Sequence, residues 1–322
     1  MKIGVIGCGA LGSFYGAKLW KAGHEVHFLL RSDYDVVREQ GVQIESEDGS
    51  FLAKPVAART PQEIGICDLV LIGLKTTANA EFARLLPPLV GPDTLVLTLQ
   101  NGLGNEEVLA KLVPSERILG GLCFVFLNRI KPGHIKHLGS GYVVVGEFQR
   151  KAMPRTQGIA DMFQSAGVKC SVSEDLGKAH WEKLVWNIPF NGLGVAGIAG
   201  LDAMKTGTVP AILPRRECVP TDELLHDVKW TALVRGLMLE VIHAAAKLGH
   251  MIPEELADKM IHRTRAMGTY RASTLVDFER GQPLELESLF LEPLRQAQRA
   301  GAKTPLLENL CAVLVELDRS TS

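Results

Sequence analysis

The expected fold is decided by residues 2–12, which read Lys-Ile-Gly-Val-Ile-Gly-Cys-Gly-Ala-Leu-Gly. Lys2 to Ile6 has the apolar pattern of a buried strand, a helix pattern continues to Trp20, and a second strand pattern runs from Glu25 to Leu30. Strand, glycine turn, helix and strand in this order form the dinucleotide-binding arrangement. The pattern predicts a Rossmann-type domain; a glycine-rich turn without a ligand is the alternative.

Each glycine of the turn has its own expected role. Gly7 permits the tight turn, Gly9 leaves room where the pyrophosphate approaches, and Gly12 lets the helix pack on the strand. The N–H groups and positive dipole at the helix N-terminus favour phosphate. The residues expected to bind the cofactor here are Gly7, Cys8, Gly9, Ala10, Leu11 and Gly12.

The end of the second strand indicates which dinucleotide is bound. NAD-preferring sites usually carry an Asp or Glu there, which bonds the ribose diol. This strand ends in Leu30-Arg31-Ser32, and the Arg31 guanidinium can pair with a 2′-phosphate. The sequence therefore favours NADPH, with a solvated surface arginine as the alternative.

Two further polar residues follow predicted strands. Apolar strand patterns run from Asp68 to Leu74 and from Thr94 to Leu99, with Lys75 and Asn101 soon after them. Open α/β sheets bind ligands at the carboxyl ends of their strands, so both residues are expected near the cofactor. Taken alone, Asn101-Gly102 is more often a turn and Lys75 a surface lysine.

The remainder of the first domain is expected to complete the same sheet. Val42 to Ala58 reads as a hairpin around Asp48-Gly49. Turns are expected at Pro132-Gly133 and at Gly139-Ser140-Gly141. The other expected elements are short strands at Arg117–Phe126, His134–Leu138 and Tyr142–Gly146, a helix at Pro154–Ala166 and a last strand at Val168–Val172. The boundary of the first domain is placed at about residue 173, which gives domains 1–173 and 174–322.

The second domain is expected to be all-helical. Apolar residues recur at helical spacing in four segments, and Gly249 and Gly301 are expected C-caps. The predicted helices are Leu225–Leu248, Pro253–Met267, Leu286–Ala300 and Pro305–Leu317.

A fifth helix, starting near Asp175, carries the candidate catalytic group. Lys183, Asn187 and Asn191 follow at i, i+4 and i+8, which places an ammonium and two amides in one row on one face. Pro189 lacks a backbone donor and is expected to kink the helix and bend the row.

This row suits the reduction of a ketone by a nicotinamide cofactor. Charge builds on the carbonyl oxygen, so a donor must face that oxygen and deliver a proton. A partly buried lysine can do this because its pKa is tunable, and amides can hold a hydroxy-keto acid. The alternative for Lys183 is a solvated lysine beside Glu182.

Composition limits the other classes of function. The chain has 322 residues and a formal net charge of −1, which gives no basic field for nucleic acid or anionic lipid. The six cysteines show no metal spacing, so we expect reduced thiols in a cytoplasmic protein and no bound metal. Val185 to Leu201 is apolar but carries two Asn, a Pro and several Gly, so no membrane span is expected.

With these motifs in hand, the chain resembles the ketopantoate reductase (2-dehydropantoate 2-reductase) family, within the 6-phosphogluconate-dehydrogenase-like group. The resemblance is most specific in the glycine turn, in residues 100–104 and in residues 181–191. It implies an α/β Rossmann-type domain, an all-helical C-terminal domain, and NADPH-dependent reduction of 2-dehydropantoate to pantoate in pantothenate and coenzyme A synthesis.

The resemblance also implies residue roles. Lys183 would be the proton donor and Asn187 and Asn191 would hold the substrate. Asn101 would touch both cofactor and substrate, Arg31 would bind the 2′-phosphate, and Lys75 would support the cofactor region. In later motifs, Ser273 would bind substrate and Glu285 would face the cofactor near Lys183.

Two departures from the family leave the exact keto acid open. The family has an Asn-Gly-Glu-Leu segment where this chain has Thr221-Asp222-Glu223-Leu224, and Leu201 to Pro220 reads as an insertion. The alternatives are a reductase of another 2-keto or β-keto acid, a related β-hydroxyacid or polyol-phosphate dehydrogenase, or a non-catalytic NADP(H)-binding regulator. A small keto acid is the expected partner, and homodimer formation stays open.

Overall fold

The computed structural model describes residues 1–321, with the backbone alone for Ser140, Ser320 and Thr321. The chain forms two compact units: unit 1, residues 1–176, and unit 2, which begins at Gly177. Unit 1 is a mixed α/β structure and unit 2 is built of helices. The predicted fold class is therefore confirmed, whereas the division of functions at about residue 173 stays a prediction.

Within the described part of unit 1, ten strands form one sheet. The strands are β1 (Lys2–Ile6), β2 (Glu25–Leu29), β3 (Val42–Ser46), β4 (Phe51–Ala53), β5 (Val56–Ala58), β6 (Cys67–Ile72), β7 (Val90–Thr98), β8 (Ile118–Lys131), β9 (His134–Glu147) and β10 (Lys169–Val172). Their order is β4-β3-β9-β8-β7-β6-β1-β2-β5, with β10 beside β9. The strands after residue 117 thus belong to the same sheet, as predicted, and β3 and β4 form the predicted hairpin.

The central parallel strands end in one row. Ile6 pairs with Leu29 on one side and with Ile72 on the other, and Ile72 pairs with Thr98. Residues that follow these strands therefore emerge at a common edge of the sheet. We call the segments directly after β2, β1, β6 and β7 the sheet edge.

The helices of unit 1 are mostly short. The helix after the glycine turn, Ala10–Lys21, buries Phe14, Tyr15 and Leu19 against the sheet. The other helical segments are Tyr34–Gln40, Pro61–Ile64, Thr76–Glu81, Phe82–Leu85, Asn105–Leu109, Ser115–Arg117 and Pro154–Ser165. The helix predicted at Pro154–Ala166 is confirmed.

The predicted turn at Gly139-Ser140-Gly141 is wrong. β8 and β9 form a long antiparallel ribbon in which Phe126 pairs with Leu138 and Phe124 with Tyr142. Three residues of β9 therefore face one residue of β8, which makes the glycine segment a bulge inside a continuous strand. Gly139 takes a φ of 67°, which fits such an irregularity. The turn at Pro132-Gly133 is confirmed.

Unit 2 is helical throughout its regular structure. Its described helices are Leu176–Asn187, Ile188–Leu193, Gly194–Ala196, Gly197–Ala199, Gly200–Thr206, Thr221–His226, Val228–Lys247, Glu255–Arg265, Ser273–Glu279, Glu287–Leu291, Glu292–Arg299 and Pro305–Thr321. The helix predicted from Leu225 begins instead at Val228, because Asp227 ends the preceding helix and caps the next by accepting from two backbone N–H groups. Gly249 and Gly301 follow helix ends with φ of 91° and 70°, as predicted for C-caps.

One continuous helical stretch, residues 176–206, passes through a π-helical segment at Ile188–Leu193. We call this stretch the wide helix. An 18-residue window within it has mean hydropathy 1.3, enough by length and composition to cross a membrane, but 83% of that window is buried inside the protein. A buried core helix passes the same test, so this is weak evidence for a membrane span.

Candidate functional site

The glycine turn lies tightly against the loop that follows β6. Gly7 has a φ of 86°, and a Cβ built on it would lie 2.1 Å from the backbone nitrogen of Leu74. A Cβ on Gly12 would lie 2.3 Å from the carbonyl oxygen of Gly7. Both positions therefore require glycine for close approach of backbone to backbone.

Gly9 differs from its two neighbours in the turn. It precedes the helix Ala10–Lys21, and a Cβ built on it would meet no atom within 4 Å. No protein atom fills this space, which would allow a phosphate group to approach the helix N-terminus. The turn thus fits a dinucleotide, and Ala10 and Leu11 lie in the first helical turn at this point.

Cys8 lies in the same turn without a reactive character. Its Sγ donates to the Val5 carbonyl oxygen at 3.4 Å, and burial raises the pKa of its thiol. The other five cysteines are also free thiols. Burial likewise raises the pKa of Cys218 to about 12 and of Cys67 to about 11. The reduced state of these thiols stays a prediction.

Lys75 and Asn101 reach the sheet edge beside the turn. Gly73 N donates to Ile6 O at 2.8 Å and Leu99 N to Ile72 O at 2.9 Å, which continues the pairing past the ends of the strands. Lys75 is exposed and precedes the 3₁₀ helix Thr76–Glu81. Asn101 is half-buried, and its main-chain carbonyl accepts from Asn105 Nδ2 at 3.0 Å. The fold therefore brings these two predicted residues to the edge that carries the glycine turn.

Arg31 lies at the same edge, exposed, two residues after the end of β2. The first acid after this strand is Asp33, and its carboxylate is paired with Arg129 of the β8–β9 ribbon. Burial raises the pKa of Asp33, but hydrogen bonds from Arg129 and Ser32 outweigh burial, so the pKa lies below its ordinary value. The negative charge of Asp33 is thus compensated by Arg129, whereas the positive charge of Arg31 is exposed to solvent. Sequence reasoning missed this pair because Arg129 is remote along the chain.

Lys183 is half-buried on the wide helix, and Asn187 and Asn191 are buried on the same helix. Asn191 lies inside the π-helical segment, where hydrogen bonds span five residues instead of four. Residue i+4 does not complete a π turn, so the row of three is not straight. Pro189 lies at the start of the same segment and has no N–H to donate to a preceding carbonyl. The kink predicted at Pro189 stays a prediction, and the structure has the π-helical segment Ile188–Leu193 at this position.

Asn191 connects the wide helix to the segment that contains Ser273. Its Oδ1 accepts from the backbone nitrogen of Thr274 at 3.1 Å and from Ser273 Oγ at 3.5 Å. Asn191 therefore holds the first turn of the helix Ser273–Glu279 by a side-chain bond to an N–H that has no partner within its own helix. Ser273 itself is exposed. The structure thus brings Asn191 and Ser273 together within unit 2.

Two glycines of the wide helix permit close packing. A Cβ on Gly194 would lie 2.4 Å from Leu275 Cδ1, and one on Gly192 would lie 2.9 Å from the Phe290 ring. Phe290 belongs to a second π-helical segment, Glu287–Leu291, which starts two residues after the half-buried Glu285. The predicted Glu285 thus lies beside a helix that packs on the wide helix. The Gly-Leu-Gly spacing at 192–194 is the sequence signal that was missed.

An aromatic contact fixes the same part of the wide helix. Trp186 Nε1 donates to Thr264 Oγ1 at 2.9 Å. Its ring lies 4.9 Å from the Phe190 ring and 6.0 Å from the Tyr270 ring, centroid to centroid. Burial raises the pKa of Tyr270 to about 12, so its hydroxyl stays protonated at neutral pH. Trp186 directly precedes the buried Asn187 along the chain.

A glycine turn among central parallel strands, followed along the chain by a helical unit with a half-buried lysine and buried asparagines, is the arrangement expected of a dinucleotide-dependent oxidoreductase. Two family models match this chain: "Ketopantoate reductase PanE/ApbA" over residues 3–150 and "Ketopantoate reductase PanE/ApbA C terminal" over residues 217–318. The chain belongs to the ketopantoate reductase family.

Full-length relatives agree with this assignment. The chain is 41% identical to the 2-dehydropantoate 2-reductase of Nostoc sp., over 98% of this chain and 95% of that protein. The crystal structure of 2-dehydropantoate 2-reductase from Geobacter metallireducens superposes with a TM-score of 0.88 at 43% identity, over 98% of this chain and 99% of the other. A D-mandelate dehydrogenase with NADH and anilino(oxo)acetate shares the fold, with a TM-score of 0.85 at 22% identity over 100% of this chain and 99% of the other.

Proposed function

We propose that the protein reduces 2-dehydropantoate to pantoate with NADPH, as a cytoplasmic step of pantothenate and coenzyme A synthesis. The observation that carries the proposal is the 41% identity with the Nostoc sp. 2-dehydropantoate 2-reductase over 98% of the chain. The Lys183, Asn187 and Asn191 row lies within that aligned length and supplies the groups that the reaction needs.

NADPH is the proposed cofactor because of the charges at the sheet edge. Arg31 is exposed there, whereas Asp33, the acid nearest to it along the chain, is paired with Arg129. A 2′-phosphate would therefore meet a cation and no uncompensated carboxylate. The pyrophosphate would lie over Gly9 at the helix N-terminus. Lys75 and Asn101 would support the remainder of the cofactor.

Lys183 is the proposed proton donor. Bound NADPH supplies the hydride. The Lys183 ammonium offers a proton to the carbonyl oxygen of the substrate, where negative charge develops. Its half-buried position strengthens that interaction relative to one in bulk water.

The amide row and two later residues would hold the substrate. Asn187 is buried with an amide that can both donate and accept. Asn191 and Ser273 are already joined at 3.5 Å, so the substrate would meet them as one unit. Glu285 would face the cofactor and act near Lys183. These four roles follow the family resemblance and are part of the proposal.

The direct test is NADPH oxidation by the purified protein with 2-dehydropantoate. We expect turnover that needs both compounds and is slower with NADH. A panel of other 2-keto and β-keto acids at fixed NADPH provides the comparison. Turnover with one of those acids but none with 2-dehydropantoate would contradict the proposed substrate and retain the reaction type.

Another 2-keto acid is the second candidate substrate. The chain has Thr221-Asp222-Glu223-Leu224 where the family has Asn-Gly-Glu-Leu, and Asp222 accepts a hydrogen bond from the Thr269 hydroxyl. The fold alone does not choose between substrates, since a D-mandelate dehydrogenase shares it. A non-catalytic regulator is disfavoured, because Lys183 and both asparagines are present.

A further inference from the structure

A chain of uncharged amides runs along the sheet edge and ends at Asn101. The Thr98 hydroxyl donates to Gln100 Oε1 at 2.9 Å, and Gln100 Nε2 donates to Asn79 Oδ1 at 2.8 Å. Asn79 Nδ2 donates to Asn105 Oδ1 at 3.0 Å, and Asn105 Nδ2 donates to the main-chain oxygen of Asn101 at 3.0 Å. We call Gln100, Asn79 and Asn105 the amide chain.

The direction of these bonds is the same along the whole chain. Each amide accepts through its oxygen and donates through its nitrogen, so every member depends on the one before it. Asn105 is 1% exposed and Gln100 is 5% exposed. A broken link therefore leaves a buried amide group without its partner, which is unfavourable because the group has also lost its water. The arrangement is thus well determined and resists rearrangement.

The loop that the amide chain holds contains two glycines in the left-handed region. Gly102 and Gly104 have φ of 86° and 87°, and glycine backbones have wide conformational freedom. Asn101 begins this loop and the helix Asn105–Leu109 follows it. The bond from Asn105 Nδ2 to Asn101 O closes the loop across the two glycines. Asn79 then ties the closed loop to the segment that follows β6.

We propose that Asn79, Gln100 and Asn105 are positioning residues that act through Asn101. They hold its backbone in the orientation that aims the Asn101 side chain at cofactor and substrate. The inference rests on the proposed function, since Asn101 has been assigned those contacts. The amide chain carries no charge, so the position of Asn101 does not change with pH through ionisation of these groups.

The test is a set of substitutions that break single links. Asn105→Asp keeps an oxygen for Asn79 Nδ2 but loses the donor to Asn101 O. We expect kcat/KM with NADPH and 2-dehydropantoate to fall about 10- to 100-fold, as for a misplacement near 1 Å. Asn79→Ala removes the link before it and should give a similar loss at a half-buried, more tolerant position. Asn128→Ala, an exposed asparagine of β8, is the control and should match the wild type.

A double-mutant cycle separates positioning from general stability. If Asn105 acts through Asn101, adding Asn105→Asp to Asn101→Ala should cause no further loss of kcat/KM, because the side chain being aimed is gone. A purely structural role would give additive losses, or a lower Tm with kcat and KM unchanged, and either result would overturn the inference.

Failure of the proposed function looks different from failure of this inference. If the wild-type protein is inactive with NADPH and 2-dehydropantoate, that result contradicts the proposed function and leaves the positioning inference to be tested separately. Amide hydrogen exchange of residues 101–104 without any ligand then tests the geometry, and we expect faster exchange in Asn105→Asp and Asn79→Ala. Unchanged exchange, or an active wild type with an equally active Asn105→Asp variant, would remove the inference.

Discussion

The sheet edge of unit 1 and the wide helix of unit 2 present polar side chains in different ways. At the sheet edge, Lys75 and Asn101 follow strands whose ends lie in one register row. On the wide helix, the spacing of Lys183, Asn187 and Asn191 is altered by a π-helical segment. Position at the edge is therefore set by topology, whereas position on the helix is set by local hydrogen bonding and by close packing at two glycines.

The largest expected effect tests the helix side of this comparison. Lys183→Ala should lower kcat about 10²- to 10⁴-fold, the usual contribution of a general acid. NADPH affinity should change little, because the proposed cofactor contacts are mostly in unit 1. Steady-state kinetics with both substrates measures the two effects. Lys178→Ala, on the same helix and paired with Glu182 at 3.9 Å, is the control. An unchanged kcat in Lys183→Ala would exclude the proton-donor role.

The second effect distinguishes the glycine of the turn that ligand binding requires from the glycine that folding requires. Gly9→Ala adds a methyl group where no protein atom lies within 4 Å, so Tm should be retained while NADPH affinity falls at least about tenfold, or 1.4 kcal/mol. Gly12→Ala places its Cβ 2.3 Å from Gly7 O, so stability and affinity should fall together. Thermal unfolding and NADPH titration measure both. Wild-type affinity in Gly9→Ala would show that no phosphate approaches this point.

The third effect concerns the charge proposed to select NADPH over NADH. Arg31→Ala should weaken NADPH by about tenfold or more and leave NADH nearly unchanged, since the 2′-phosphate alone loses its partner. Titration with both dinucleotides gives the ratio. Equal losses for the two would contradict the phosphate-binding role.

Arg129→Gln tests the same cofactor preference through a residue other than Arg31. It leaves Arg31 in place but removes the cation that neutralises Asp33. The released carboxylate should disfavour a 2′-phosphate, so the preference for NADPH over NADH should narrow. Restoration of that preference in the double variant Asp33→Asn with Arg129→Gln would attribute the effect to the Asp33 charge. An unchanged ratio of NADPH to NADH affinity in Arg129→Gln would exclude an effect of the Asp33 charge on cofactor choice.

The smallest effects test close packing on the wide helix. Gly194→Ala places a Cβ 2.4 Å from Leu275 Cδ1 and should cost about 1–3 kcal/mol through overpacking. Gly158→Ala, in the helix Pro154–Ser165, meets no atom within 4 Å and should instead stabilise by about 0.4–1 kcal/mol. Urea unfolding of both variants gives the contrast. Similar values for the two would show that the helices do not need this close approach.

Much of unit 1 could be predicted from the sequence because its signals are local. β1 begins and ends where the apolar run does, and the Asp48-Gly49 turn and the helix at 154 were predicted correctly. The error at Gly139–Gly141 has a physical cause: glycine indicates a departure from regular backbone, and a bulge satisfies that signal as well as a turn does.

The candidate site also contains features that local sequence patterns predict and features that depend on tertiary contacts. The positions of Gly7, Lys75 and Asn101 at one edge follow from strand order alone. The pairing of Arg129 with Asp33 depends on a long ribbon and could not be read from local patterns. The π-helical segment was equally hidden, since a spacing of four residues indicates an α-helical face and Pro189 indicates only an interruption. The amide chain joins residues 79 to 105 through tertiary contacts.

The indole of Trp186 gives the protein an intrinsic optical reporter. Trp186 lies one residue before Asn187 on the wide helix. Its indole N–H donates to Thr264, and its ring packs on Phe190. Indole emission shifts with the polarity and hydrogen bonding around the ring, so a keto acid that settles against the buried amides should alter the fluorescence spectrum. Occupancy of the proposed substrate site could then be followed without turnover and without an added dye, with Trp186→Phe to identify the emitting ring.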